Sequence, residues 1–146
     1  MKKYELLIDD TIDVFGVTLF RIKALISFGN VAKGDLGGYV EKEGNLSHSG
    51  DAWVSGNARV SGDALVYGDA LVSGDADYIV FKNHWSSGRY FTYTKSNKMW
   101  KVGCFYGTGQ ELIEKAYRDS EVSGKHYEAY VEFVEKLEEI TNEKHN

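Results

Sequence analysis

From Gly44 to Ala76 the chain returns every six residues to one spelling: glycine, Asp or Asn, a small or apolar residue, a variable residue, then most often valine. The glycines stand at 44, 50, 56, 62, 68 and 74. Behind them come Asn45, Asp51, Asn57, Asp63, Asp69 and Asp75, then Leu46 or the alanines at 52, 58, 64, 70 and 76. Val54, Val60, Val66 and Val72 follow two residues after an alanine. Gly-Asp and Gly-Asn tolerate left-handed backbone angles and so make a corner. Residues two apart share one face of a strand, so each Ala-x-Val has an apolar side. A hexad thus predicts one short strand plus one corner, a unit that buries nothing until copies of it stack.

The Gly-Asp-Ala-x-Val hexads resemble the hexapeptide repeat of left-handed parallel β-helices, in which three hexads make one triangular coil. That resemblance implies Val54 stacked on Val72, Ala52 on Ala70 and Asp51 on Asp69, in layers about 4.8 Å apart. It also implies only about two coils, whose open ends the rest of the chain must cover. The expected fold class is mainly β with C-terminal helices, and it divides into three parts. Residues 1–43 form an N-terminal strand pair and an imperfect entry coil, 44–77 the short left-handed parallel β-helix, and 78–146 a C-terminal lobe of a β-hairpin plus two α-helices.

The flanks are read from local patterns. Tyr4 to Ile8 and Val17 to Ile26 spell two strands, joined through an Asp-rich turn and the Phe15-Gly16 bend. Residues 28–43 share the repeat's vocabulary but break its phase, as a terminal repeat does. The run Tyr78 to Phe81 predicts a strand that leaves the repeat. Arg89 to Thr94 and Met99 to Tyr106 alternate around Lys95-Ser-Asn-Lys98, a hairpin pattern. Thr108-Gly-Gln-Glu111 spells a capping box ahead of an apolar stripe at Leu112, Ile113, Ala116 and Tyr117. A second helix is expected from about Lys125 to Thr141, after a loop from Asp119 to Gly124 and before a frayed end at Asn142 to Asn146.

At 146 residues, with a net charge of −5 and 42% apolar residues, the composition is that of one ordinary compact unit. Neither a signal peptide nor a membrane-crossing stretch is legible. Cys104 is the single cysteine, which excludes an internal disulfide and fits a reducing compartment. The expected location is the cytoplasm of a bacterial host cell. Charge is segregated: Asp51, Asp63, Asp69, Asp75 and Asp77 face Arg59 alone in 44–77, whereas 78–110 hold Lys82, Arg89, Lys95, Lys98 and Lys101 without an acid.

No phosphate loop, paired-cysteine zinc pattern or nucleophile elbow is present in the sequence. No cofactor, metal or catalytic residue is assigned. His48 occupies the phase of Val54, where hexapeptide acyltransferases resemble it in placing a general base; a polar first-repeat residue is the plainer reading. Cys104 alternates with Val102 and Tyr106, which predicts a buried, inert thiol. Corner chemistry accounts for the repeat's aspartates better than a cation site does.

The basic stretch carries the binding prediction. Interleaved bases and aromatics suit an acidic protein surface or single-stranded nucleic acid, and also the packing of a hairpin on helices. Protein ranks above nucleic acid, because the acidic flanks repel a long polyanion. The candidate partner-binding residues are Trp85, Arg89, Tyr93, Lys95, Lys98 and Lys101. A competing acidic surface consists of Asp51, Asp63 and Asp69.

Taken whole, the order is similar to a class of small phage and prophage accessory proteins. The likeness rests on Gly-Val-Thr-Leu-Phe-Arg-Ile-Lys-Ala-Leu (16–25), Gly-Asp-Leu-Gly-Gly-Tyr-Val-Glu (34–41), the hexads, and Val-Gly-Cys-Phe-Tyr-Gly-Thr (102–108). It implies a non-catalytic protein that binds and inhibits a bacterial host protein or defence complex, in the manner of an anti-CRISPR inhibitor. The alternatives are a trimeric acyltransferase-like enzyme that binds coenzyme A through His48, and a virion component. Self-association as a dimer or trimer is expected in each case.

Overall fold

A computed structural model of the chain describes residues 2–143, so the expected fraying of residues 144–146 lies outside the described residues. The chain divides into two compact units, Met1–Tyr106 and Gly107–Asn146.

In the first unit, β1 (Tyr4–Val14) and β2 (Val17–Ala24) form a long antiparallel hairpin. The Asp-rich segment is not a turn: the register jumps between Leu7 and Thr11, which makes Ile8-Asp9-Asp10 a bulge inside β1. β3 (Leu36–Val40) pairs antiparallel with β2 and parallel with β5 (Arg59–Val60), giving the mixed sheet β1-β2-β3-β5. β4 (Trp53–Val54) and β6 (Leu71–Val72) form a separate two-stranded parallel ladder. β7 (Tyr78–Lys82), β8 (Tyr90–Thr94), β9 (Met99–Val102) and β10 (Phe105–Thr108) make a second four-stranded sheet in the order β10-β9-β8-β7.

The expected left-handed parallel β-helix is therefore corrected: no such helix forms among the described residues, and the hexads supply only short parallel pairs. Val54 does oppose Val72, an offset of eighteen residues, but Val40 opposes Val60 and Leu46 opposes Val66, each twenty apart. The offset is twenty on both sides of the 3-10 turn at Glu43–Asn45, so the change to eighteen falls between Leu46 and Val54, where the chain takes eight residues against six from Val66 to Val72. Each repeat strand is two residues long, and the flanking strands β3 and β7 are drawn into sheets with antiparallel partners. The long-range pairing of the flanks outweighs the continuation of so short a ladder.

The binary pattern of the hexads nevertheless sets the core. Ala52, Ala58, Ala64, Ala70, Val54, Val60, Val66 and Val72 are all buried, together with Tyr4, Ile22, Val40, Leu46 and Trp53. Burying each valine contributes about 2 kcal/mol. The corner glycines lie close to one another: a Cβ on Gly50 would sit 2.5 Å from the Gly68 carbonyl oxygen. Asn45 is fully buried; its Nδ2 donates to the carbonyls of Gly62 (3.1 Å) and Ala64 (2.9 Å), and its Oδ1 accepts from the Lys42 amide (3.0 Å). This one side chain ties the entry turn to the repeat.

The second sheet has two unlike faces. Thr92, Thr94 and Lys101 point to the repeat, where Thr92 Oγ1 accepts from the Leu65 amide (3.0 Å) and Lys101 Nζ lies 4.3 Å over the Tyr67 ring. Phe81, Phe91, Tyr93 and Trp100 form a cluster of rings on the other face.

The second unit is a helix pair, α1 (Gly109–Asp119) and α2 (Glu121–Glu143). The capping box forms as spelled: Thr108 Oγ1 accepts from the Glu111 amide, and Glu111 Oε1 accepts from the Thr108 amide. The loop expected from Asp119 to Gly124 is absent, because Ser120 Oγ accepts from the Ser123 amide and starts α2 at once. Gly124 is the contact point of the two helices, since a Cβ there would lie 2.3 Å from the Tyr117 ring. No helix among the described residues is long and apolar enough to cross a membrane.

Candidate functional site

The residues singled out in the basic stretch separate into three settings. Tyr93 is only 3% exposed, with its ring 5.0 Å from Trp100, so it belongs to the packed ring cluster. Trp85 is half-buried in the loop after β7, edge-on to Phe91 at 6.4 Å. Buried Asn83 shapes that loop, its Oδ1 accepting from the amides of Trp85 and Ser86.

Lys95 and Lys98 sit at the β8–β9 turn, where Lys98 takes a left-handed φ of 55° and the Lys95 amide donates to the Asp77 carbonyl. Lys101 is held over Tyr67, as described. Asp69 belongs to the same end of the sheet, accepting from Asn97 Nδ2 at 2.9 Å, and Asn97 Nδ2 also donates to the Tyr106 hydroxyl at 2.8 Å. The hydroxyl of Tyr106 lies against Gly68, and burial raises its pKa.

Arg89 is at the opposite end of β8, about 17 Å away along the strand from Thr94. There it lines an open groove of about 360 Å³ with Lys42, Asp63, Leu65, Tyr90 and Gly103. Lys42 Nζ is 3.6 Å from Asp63 Oδ1, and both side chains are half exposed. The exposed ring of Tyr90 is approached by Lys82 Nζ at 5.9 Å. Arg89 and Asp63, drawn from the two competing surfaces of the sequence analysis, thus meet in one groove. The result is two cations and an exposed phenol around one carboxylate, with Lys82 beside the phenol.

Sequence reasoning missed Lys42 and Tyr90. Alternation along β8 held the signal for Tyr90, which lies out of step with Phe91 and Tyr93 and so off the packed face. Lys42 had no comparable signal, since only the twenty-residue offset of the Val40–Val60 pairing brings it to Asp63.

Asp51 is exposed near the buried amine of Lys3. Lys3 Nζ donates to the carbonyls of Ala52 (2.6 Å) and Gly50 (3.3 Å) and lies 4.6 Å over the Phe28 ring. Burial lowers its pKa to about 8, partly opposed by Asp51. His48 fixes the same strand end: its Nδ1 accepts from the Lys3 amide at 3.1 Å, its ring stacks on Tyr4 at 4.1 Å, and its Nε2 is 3.4 Å from Glu43 Oε1. These contacts make it a bracket for β1.

Cys104 is exposed, contrary to the buried thiol expected from alternation. Gly103, with φ of 55°, breaks the strand between β9 and β10 and turns Cys104 outward. Among the described residues no group of three or more His, Cys, Asp or Glu side chains converges. No known protein family and no curated protein matches the sequence.

Proposed function

We propose that the protein is a phage or prophage accessory protein that binds a bacterial host protein, a defence complex being the leading class, and inhibits it by occupying its surface without catalysis. The supporting observation is the groove that brings Arg89 and Tyr90 beside the Lys42–Asp63 pair. Arg and Tyr are the residue types that most often dominate binding energy at interfaces. An excess of cations around one carboxylate suits an acidic loop of a partner, with Arg89 offering a planar fork to a carboxylate and Tyr90 a rigid apolar body with a polar tip. The ring cluster of β8 and β9 is packed, so the hairpin's aromatics support the groove rather than meet the partner.

The test is affinity capture from a bacterial lysate, followed by an activity assay on the purified captured protein. A single host protein retained by the unaltered chain, slowed by it in the assay, and released by Arg89→Glu is the expected result. Equal capture by Arg89→Glu, or a captured protein whose activity is untouched, would remove this reading.

A further inference from the structure

The hairpin of β1 and β2 ends in a two-residue turn, because Val14 opposes Val17 and both central residues have positive φ: 50° at Phe15 and 84° at Gly16. This is the type I′ geometry that favours Asn-Gly. A phenylalanine in left-handed backbone is an outlier, since its Cβ crowds the following carbonyl. Phe15 gains nothing in return within its own chain, for it is 102% exposed. β3 pairs with β2 only over Phe20–Lys23 and Leu19 is still buried at the base, so residues 13–18 project as a two-stranded arm with this ring at its tip.

The same chain carries an apolar groove of about 380 Å³, formed by Val31, Leu36, Trp53 and Leu71 and rimmed by Asn30 and Asp35. Leu36 and Leu71 are 56% and 45% exposed. Leu36 pairs with Lys23 at the base of β2, seven residues from Gly16, so the arm's tip lies roughly 23 Å along the strand from the groove. A rigid paired arm cannot fold back over that distance. A neighbouring copy can supply what the chain cannot reach. Asp13 flanks the tip, while Lys23, opposite Leu36, and Lys33, between Val31 and Asp35 in sequence, outnumber the one acid of the groove, Asp35.

We propose that Phe15 is a docking residue that enters the Val31–Leu36–Trp53–Leu71 groove of a second copy, so that two copies exchange arms reciprocally about a two-fold axis. Strain at the turn is then the cost of presenting a ring whose partner lies on another molecule.

Sedimentation velocity from about 1 µM to about 1 mM tests this. The unaltered chain is expected to pass from monomer to dimer. Phe15→Asn, which suits the turn better, is expected to stay monomeric while melting at the same or a higher temperature. Leu71→Glu is expected to be monomeric as well. An equimolar mixture of Phe15→Asn and Leu71→Glu retains one intact arm-and-groove contact and is expected to recover a weaker heterodimer. Three results would each overturn the proposal: a chain that is monomeric throughout, a Phe15→Asn dimer of unchanged strength, or a mixture in which no heterodimer forms. Phe15-dependent binding of a foreign protein by a monomeric chain would likewise exclude the second copy as occupant.

Discussion

Gly50→Ala is expected to destabilise the protein by about 3 kcal/mol, while the same change at Gly56, an equivalent corner of the repeat, costs about 1 kcal/mol. Both glycines are left-handed, with φ of 74° and 60°, so alanine at either meets the same backbone penalty of roughly 1–2 kcal/mol. Both gain back a few tenths to about 1 kcal/mol from a stiffer unfolded chain. They differ in what a Cβ would touch. At Gly56 nothing lies within 4 Å; at Gly50 the Gly68 carbonyl oxygen is 2.5 Å away. That carbonyl also accepts from the Ala52 amide at 2.9 Å. Relieving the clash means moving two backbone segments apart, which weakens a bond worth about 1 kcal/mol and adds an overpacking cost of roughly 1–3 kcal/mol. Urea unfolding followed by tryptophan fluorescence reports on this region through buried Trp53. If the two variants fall within about 0.5 kcal/mol of each other, the close stacking of the glycine corners is not what holds the repeat together.

Asn45→Ala strips three backbone groups of their partner at a fully buried site and is expected to cost about 2–4 kcal/mol in the same assay; a loss below about 1 kcal/mol would mean that the bracket is dispensable. Stability should depend on pH through Lys3. Its folded pKa, about 8, lies below the ordinary lysine value of 10.5, so the unfolded chain binds more protons between these values and the melting temperature rises over that window. Burial raises the pKa of Tyr4, so this gain reverses once tyrosines of the unfolded chain ionise near pH 10, and Lys3→Met should remove the rise but keep the reversal. Cys104 should react with a thiol reagent under native conditions as fast as in urea, and protection of tenfold or more would contradict its outward placement.

Much of this architecture can be read directly from residues whose partners are near in sequence. The Ala-x-Val rhythm identifies the buried residues of the repeat, Thr108 and Glu111 spell their cap, and Lys95 to Lys98 mark a hairpin turn. Errors arise where distant pairing decides. Hexads look from sequence like a uniform parallel stack of about two coils, yet the offset changes from twenty to eighteen between Leu46 and Val54, and antiparallel partners take β3 and β7. Gly124 reads as a break but is a contact, because it is the place where Tyr117 needs room. The candidate groove was legible only in halves: Arg89 and Asp63 were visible as charges, and no local pattern says that they share a surface with Lys42 and Tyr90.

The claim that binding resides in this groove rather than at the far end of β8 is tested most directly by comparing two variants against the captured host protein. Binding measured by calorimetry should weaken at least tenfold in Arg89→Glu and less than threefold when Lys95, Lys98 and Lys101 are all changed to Glu. Loss of binding in the triple variant with Arg89→Glu unaffected would contradict the account and move the partner to the β8–β9 turn.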